Sequence, residues 1–150
     1  MRLTLAFLGA TCVSIAGCAA GLAAPRPELR AEVEAAEAEF VALLKSGRPA
    51  EVASLYTEDG MLVQNEARGR AAIAKVFAPL GPLIRDARIV VDEVEARGDT
   101  AWETGTAYIT LALPGGEVVQ RHRHLHVWKR GPDGKLRLHR AMVAPAPSKE

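Results

Sequence analysis

Apolar positions recur at steps of three and four through Leu29, Val33, Ala36, Phe40 and Leu43, which predicts an amphipathic helix beginning near residue 28. Glu32, Glu34, Glu37 and Glu39 fill its other faces. Gly47 and Pro49 supply its stop signal. A brief second helix over 49–56 offers Val52, Leu55 and Tyr56 to a core, and 61–63 reads as a short strand. A third helix spans 69–78, with Ile73, Val76 and Phe77 on one side and Pro79 at its end. After Pro82 the period changes from helical to alternating. Four long stretches, 84–96, 100–113, 117–130 and 135–144, are divided by Arg97-Gly98-Asp99, Pro114-Gly115-Gly116 and Gly131-Pro132-Asp133-Gly134. Short turns between long strands predict antiparallel hairpins. Helices first and a strand meander afterwards is an α+β order. Residues 145–150 read as a flexible, frayed tail.

The N-terminus follows a different pattern. One basic residue, Arg2, precedes an uncharged run over 3–17, and Ile15-Ala16-Gly17-Cys18 closes it with an aliphatic residue, two small ones and a cysteine. The layout resembles a bacterial lipoprotein signal peptide. The resemblance implies cleavage before Cys18, lipidation of its thiol, and residues 18–27 as a lipidated cysteine and tether. Cleavage near Ala20 or Ala24, an uncleaved anchor over 3–24, or a hydrophobic helix with an incidental cysteine are the alternatives. All but the last export the domain. Ala19 is not the aspartate that often marks inner-membrane retention, so two membranes would place the anchor in the periplasmic leaflet of the outer one.

Removing Arg2 with the leader brings the 19 basic residues level with the 18 acidic ones. No basic stripe interleaved with aromatics is present, which argues against nucleic acid as a partner. Both cysteines, Cys12 and Cys18, lie at the N-terminus, so a processed domain has no disulfide to rely on. The remaining length suits one domain, 28–144. Gly115-Gly116 precedes no helix and reads as a hairpin turn rather than a phosphate loop, and no cofactor is implied.

The sharpest local feature is His122-Arg123-His124-Leu125-His126. On a strand the three imidazoles share one face, continued by Trp128, while Arg121, Arg123, Leu125 and Val127 take the other. Two such histidines can bind one metal, but His122 and His126 stand ~13 Å apart along a strand, so a further ligand would come from His139 or a carboxylate. The other readings are a polar row on a sheet face, or His124 and His126 hydrogen-bonding a ligand with a charge change near pH ~6.5. Trp102 and Tyr108 share a parity that suits a pocket wall. Tyr56 reads as core with its hydroxyl tied to a partner. Glu58 and Asp59 read as turn and capping groups in preference to a paired-carboxylate site.

Five segments, Leu55-Tyr56-Thr57-Glu58-Asp59-Gly60, Gly69-Arg70-Ala71-Ala72-Ile73, Gly98-Asp99-Thr100-Ala101, Val127-Trp128-Lys129-Arg130 and Asp133-Gly134-Lys135-Leu136, occur in an order that resembles the SnoaL-like branch of the nuclear transport factor 2-like superfamily. The resemblance implies a curved antiparallel sheet wrapped around three helices, a cone with a pocket in its mouth. It places the catalytic base of the ketosteroid isomerase relatives at Gln64 or Asn65, with Glu66 nearby, and their tyrosine at Phe40. Amides and a phenyl ring cannot do that proton transfer. On the last strand His139 and Arg140 persist, while acidic, indole and amide positions become Ala141, Val143 and Ala144. The leading expectation is a non-catalytic domain whose cone takes a small apolar or amphipathic ligand, lined by Phe40, Tyr56, Trp102, Tyr108, His122, His124, His126 and Trp128. The alternatives are an isomerase, cyclase or hydrolase using His122, His124, His126 or His139 with Asp59 or Glu103, and an interaction module of the cell envelope. A homodimer through the sheet is expected from the relatives.

Overall fold

A computed structural model describes residues 27–147; the lipidation site Cys18, the leader, most of the tether and the last three residues lie outside them. Among the described residues no helix is long and apolar enough to cross a membrane.

Helix α1 (Pro27–Lys45) starts on a proline with Glu28 in its first turn and ends with Lys45 in its last, so its charges complement the helix dipole. Its buried stripe is Val33, Glu37, Phe40 and Leu44, at steps of four, three and four. That corrects the expectation that Glu37 fills another face: the stripe keeps Val33 and Phe40 and adds Glu37 and Leu44, while Leu29, Ala36 and Leu43 only flank it. Helix α2 (Pro49–Ser54) is shorter than predicted because Tyr56 already belongs to strand β1 (Tyr56–Leu62). A single 3-10 turn (Val63–Asn65), strand β2 (Ala67–Arg68) and helix α3 (Arg70–Phe77) follow. The meander is β3 (Ile84–Arg97), β4 (Thr100–Leu113), β5 (Gly116–Arg130) and β6 (Leu136–Pro145), close to the predicted bounds.

The six strands form one sheet in the order β2-β1-β6-β5-β4-β3. It is antiparallel except where β1 runs parallel to β6, which makes it mixed. The meander strands β3 to β6 close as successive hairpins, whereas β1 reaches β6 only after β2, α3 and three meander strands have intervened. Register shifts in β3 at Ile84/Asp86 and Val91/Glu93, and between β5 and β6 at Val127/Trp128, bend the sheet around the helices. At the second shift Arg30 of α1 donates to the carbonyls of Val91 (2.6 Å) and Asp92 (3.1 Å). Arg130 pairs with Glu32 at the far end of the sheet. These two ties lay α1 across the concave face. Between them sits the core of Val33, Phe40, Val52, Tyr56, Ile73, Trp128 and Leu138, where each fully buried aliphatic side chain contributes about 1.5–3 kcal/mol.

Candidate functional site

Register decides which side chains meet inside the cone. Opposite one another on β4 and β5 stand Ala107 and His122, Gly105 and His124, Glu103 and His126, Ala101 and Trp128. All eight positions lie on the concave face, because strand side chains alternate. Glu37 comes down on them from the buried stripe of α1. His126 Nδ1 lies 2.6 Å from Glu37 Oε1 and 3.2 Å from Glu103 Oε1, and His124 Nε2 lies 3.8 Å from Glu103 Oε1. The two imidazoles stack at 4.5 Å, with Trp128 and Phe40 edge-on to His126. Glu37, Glu103, His124 and His126 are each at most 4% exposed.

Four ionisable groups in so little water disturb one another strongly. Burial alone would raise the Glu37 carboxyl, but the positive charge and hydrogen bond of His126 outweigh it and hold the group below its usual range. Glu103 moves the other way, pushed up by burial with Glu37's negative charge beside it. For His126 burial is outweighed by Glu37 and then Glu103, so its pKa rises. His124 falls to about 4, first through burial and then through repulsion by His126. Burial and the charge of Glu37 raise Tyr56, whose hydroxyl has no hydrogen-bond partner. That corrects the expectation of a tied hydroxyl. Both nitrogens of His124, the second oxygens of Glu37 and Glu103, and the Trp128 indole N–H also lack partners within the protein.

Of these groups, Tyr56, His124 and His126 border a cavity of about 240 Å³. Its walls include Phe40, Leu44, Phe77, Ile89, Ile109 and Leu111, and Gln64, Asn65, Gln120 and His122 lie toward its mouth. Of the predicted ligand-binding residues, Phe40, Tyr56, Tyr108, His122, His124 and His126 line this space. Trp102 does not. Its parity is opposite to that of Glu103, so it lies on the convex face beside Val127 and Glu95. Trp128 lies inside but beneath the cavity, packed in the core. Tyr108 shares the parity of Trp102 yet borders the cavity, and the Arg88 guanidinium of the neighbouring strand stacks on its ring at 4.3 Å.

The catalytic candidates separate. His124 is in the cavity wall, whereas His139 and Asp59 meet at the β1–β6 seam. There His139 Nδ1 lies 3.1 Å from Thr57 Oγ1 and 3.6 Å from Asp59. Gln64 and Asn65 line the cavity but Glu66 does not; Gln64 Oε1 also accepts from the Val143 N–H. The histidine row splits as well. His124 and His126 converge on the carboxylates, while His122 bonds Gln120 at 3.2 Å, so the three histidines weighed as a candidate metal set do not gather at one point.

Sequence reasoning missed Glu37 and Gly105. Glu37 carried a signal, since it is the fourth-residue step between Val33 and Phe40. Gly105 is an isolated glycine inside a strand, a common mark of close approach. A Cβ there would strike the Val90 carbonyl and come within 2.5 Å of the His124 ring.

The profile of the family described as SnoaL-like domain matches residues 37–139, a span containing all four buried groups. Similar folds occur in a ketosteroid isomerase-like protein from Erwinia carotovora atroseptica SCRI1043 (19% identity, TM-score 0.70, covering 82% of this chain and 100% of that one). A nuclear transport factor 2-like protein with a cystatin-like fold from Novosphingobium aromaticivorans is similar too (23%, TM-score 0.64, 81% and 84%). So is a Catenulispora acidiphila protein in complex with S-DNPA (24%, TM-score 0.64, 79% and 93%). No curated protein matches the chain in sequence.

Proposed function

This chain belongs to the SnoaL-like domain family, and from that premise we propose that its cone binds one small, largely apolar organic molecule. The observation that carries the reading is the cavity, apolar along its walls and polar at its two ends. An apolar cavity of ~150 Å³ takes benzene, so this one accommodates roughly ten non-hydrogen atoms. The unpartnered Tyr56 hydroxyl and His124 nitrogens supply donors and acceptors for a polar substituent at the inner end. That the Catenulispora acidiphila neighbour is in complex with S-DNPA supports the reading. Amides at Gln64 and Asn65 and a phenyl ring at Phe40 favour binding over isomerase-type proton transfer.

The test is calorimetric titration of the full chain with phenol and 2-naphthol, beside Ala141→Phe, which fills the cavity, and Trp102→Ala on the convex face. Binding of 2-naphthol that falls at least tenfold in Ala141→Phe and is unchanged in Trp102→Ala supports the proposal. Binding that survives the filled cavity, or none to either compound, overturns it.

A second reading, an enzyme using a pocket histidine, is favoured by one observation: His126 is held between two carboxylates in the cavity wall. Turnover of a bound compound that Glu103→Gln abolishes would establish it. Export with a lipid at Cys18 remains part of the proposal on the residues over 2–18, as does a homodimer. Apolar Val90, Val119 and Met142, exposed on the convex face, support the dimer, and sedimentation of the full chain would test it.

A further inference from the structure

The inner end of the cone holds more ligating power than an apolar guest can use. Glu37 Oε, Glu103 Oε and one nitrogen each of His124 and His126 all lie within 4.8 Å of one another. They come from three elements, α1, β4 and β5, and nothing in local sequence required them to meet. Buried carboxylates side by side repel, and isolated buried charge costs several kcal/mol per ion. Burial favours the protonated form of Glu103, which relieves that repulsion, and the His126–Glu37 hydrogen bond balances one charge. Neither supplies a partner to His124, both of whose nitrogens remain unsatisfied in a side chain with no exposed surface.

We propose that Glu37, Glu103, His124 and His126 form a binding site for one divalent transition-metal ion. With the protons of His126 and Glu103 released to solvent on binding, two carboxylates and two neutral imidazoles offset a dication in charge, and imidazole with carboxylate suits zinc, iron or cobalt better than magnesium or calcium. At metal–ligand distances of ~2.0–2.2 Å, donors around one ion stand up to ~4.2 Å apart. The separations of 2.6, 3.2 and 3.8 Å bracket the ordinary spacing, and with all four donors within 4.8 Å of one another small side-chain shifts close the set. Gly105 leaves the room for the His124 ring to lie flat against β4. The site opens on the organic-molecule cavity but does not depend on that cavity being used.

The experiment takes the full chain with Cys12→Ser and Cys18→Ser, which removes competing thiolates, strips it with chelator and titrates it with cobalt and zinc. The expected result is one equivalent bound, with visible cobalt bands of a low-coordinate nitrogen–oxygen site. Affinity should fall more than tenfold in Glu37→Gln and His124→Ala and hold in His122→Ala. Because the two variants can lose their fold, the ring ¹H–¹⁵N signals of the parent chain are followed as zinc is added. Those of His124 and His126 should shift while those of His122 and His139 stay. Failure to bind one equivalent, or shifts confined to His122 or His139, overturns the site. Titration with 2-naphthol on the same metal-free sample reads the organic pocket separately, so either proposal can fail alone.

Discussion

Two of the imidazole–carboxylate contacts in this small domain behave in opposite ways. His126 meets Glu37 at 2.6 Å inside the cone, with both side chains almost wholly buried. His139 meets Asp59 at 3.6 Å on the β1–β6 seam, where Asp59 is 69% exposed. The inner pair raises the imidazole pKa through the carboxylates, despite burial. The outer histidine is lowered, first by partial burial and then by Arg140 and Lys129, against the weaker pull of Asp59. The same residue types thus make a tight network in one place and a solvated contact in the other. Dielectric surroundings and neighbouring charge decide the difference, not the pairing itself.

Breaking the inner pair should have the largest effect. His126→Ala leaves Glu37 and Glu103 buried without their counter-charge, which should cost about 3–5 kcal/mol by urea unfolding. A result below 1 kcal/mol would mean that the carboxyls simply take up protons. Replacing the whole network separates stability from function. Glu37→Leu/Glu103→Leu/His126→Leu should be neutral or about 1–4 kcal/mol more stable in chelator, because desolvated ions give way to apolar contacts. That variant should bind no cobalt. Gly105→Ala tests the space rather than the charge. Its methyl group collides with backbone on one side and the His124 ring on the other, so a loss of about 1–3 kcal/mol is expected in the same assay, with a moved His124 ring signal.

The two pairs were unequally legible in the sequence. Strand alternation and the turn residues located β3 to β6 and put His122, His124, His126 and Trp128 on one face, as observed. Residues that depended on a partner element were harder. Glu37 lies at core spacing, but a glutamate among glutamates reads as solvent-facing until the carboxylate and imidazoles beneath it are known. Trp102 shares a face with Tyr108, but which face is concave depends on where α1 packs. The parallel meeting of β1 with β6, which creates the His139–Asp59 contact, joins segments some 80 residues apart with no local pattern to announce it. Gly105 could have been flagged from sequence alone as a glycine inside a strong strand, though not for what it makes room for.

The smallest expected effect lies in the outer pair and is read most clearly as pH dependence. His139 titrates below its usual 6.5 in the folded protein, so folding favours its neutral form. The unfolded chain then binds the proton more readily, and stability present above about pH 6.5 falls as the pH drops through the lowered folded value. His139→Gln removes this titration. Its unfolding free energy should lose less than that of the parent chain between pH 6.5 and 5, while the two agree near pH 8 apart from a constant offset. Asp59 pulls the other way by favouring the charged ring, so Asp59→Asn should lower the histidine further and slightly steepen the acid loss. A His139→Gln curve parallel to the parent's over the whole range would mean that solvent screens the seam completely. In that case Arg140, Lys129 and partial burial would have no measurable hold on the ring, and the contrast between the two pairs would reduce to burial alone.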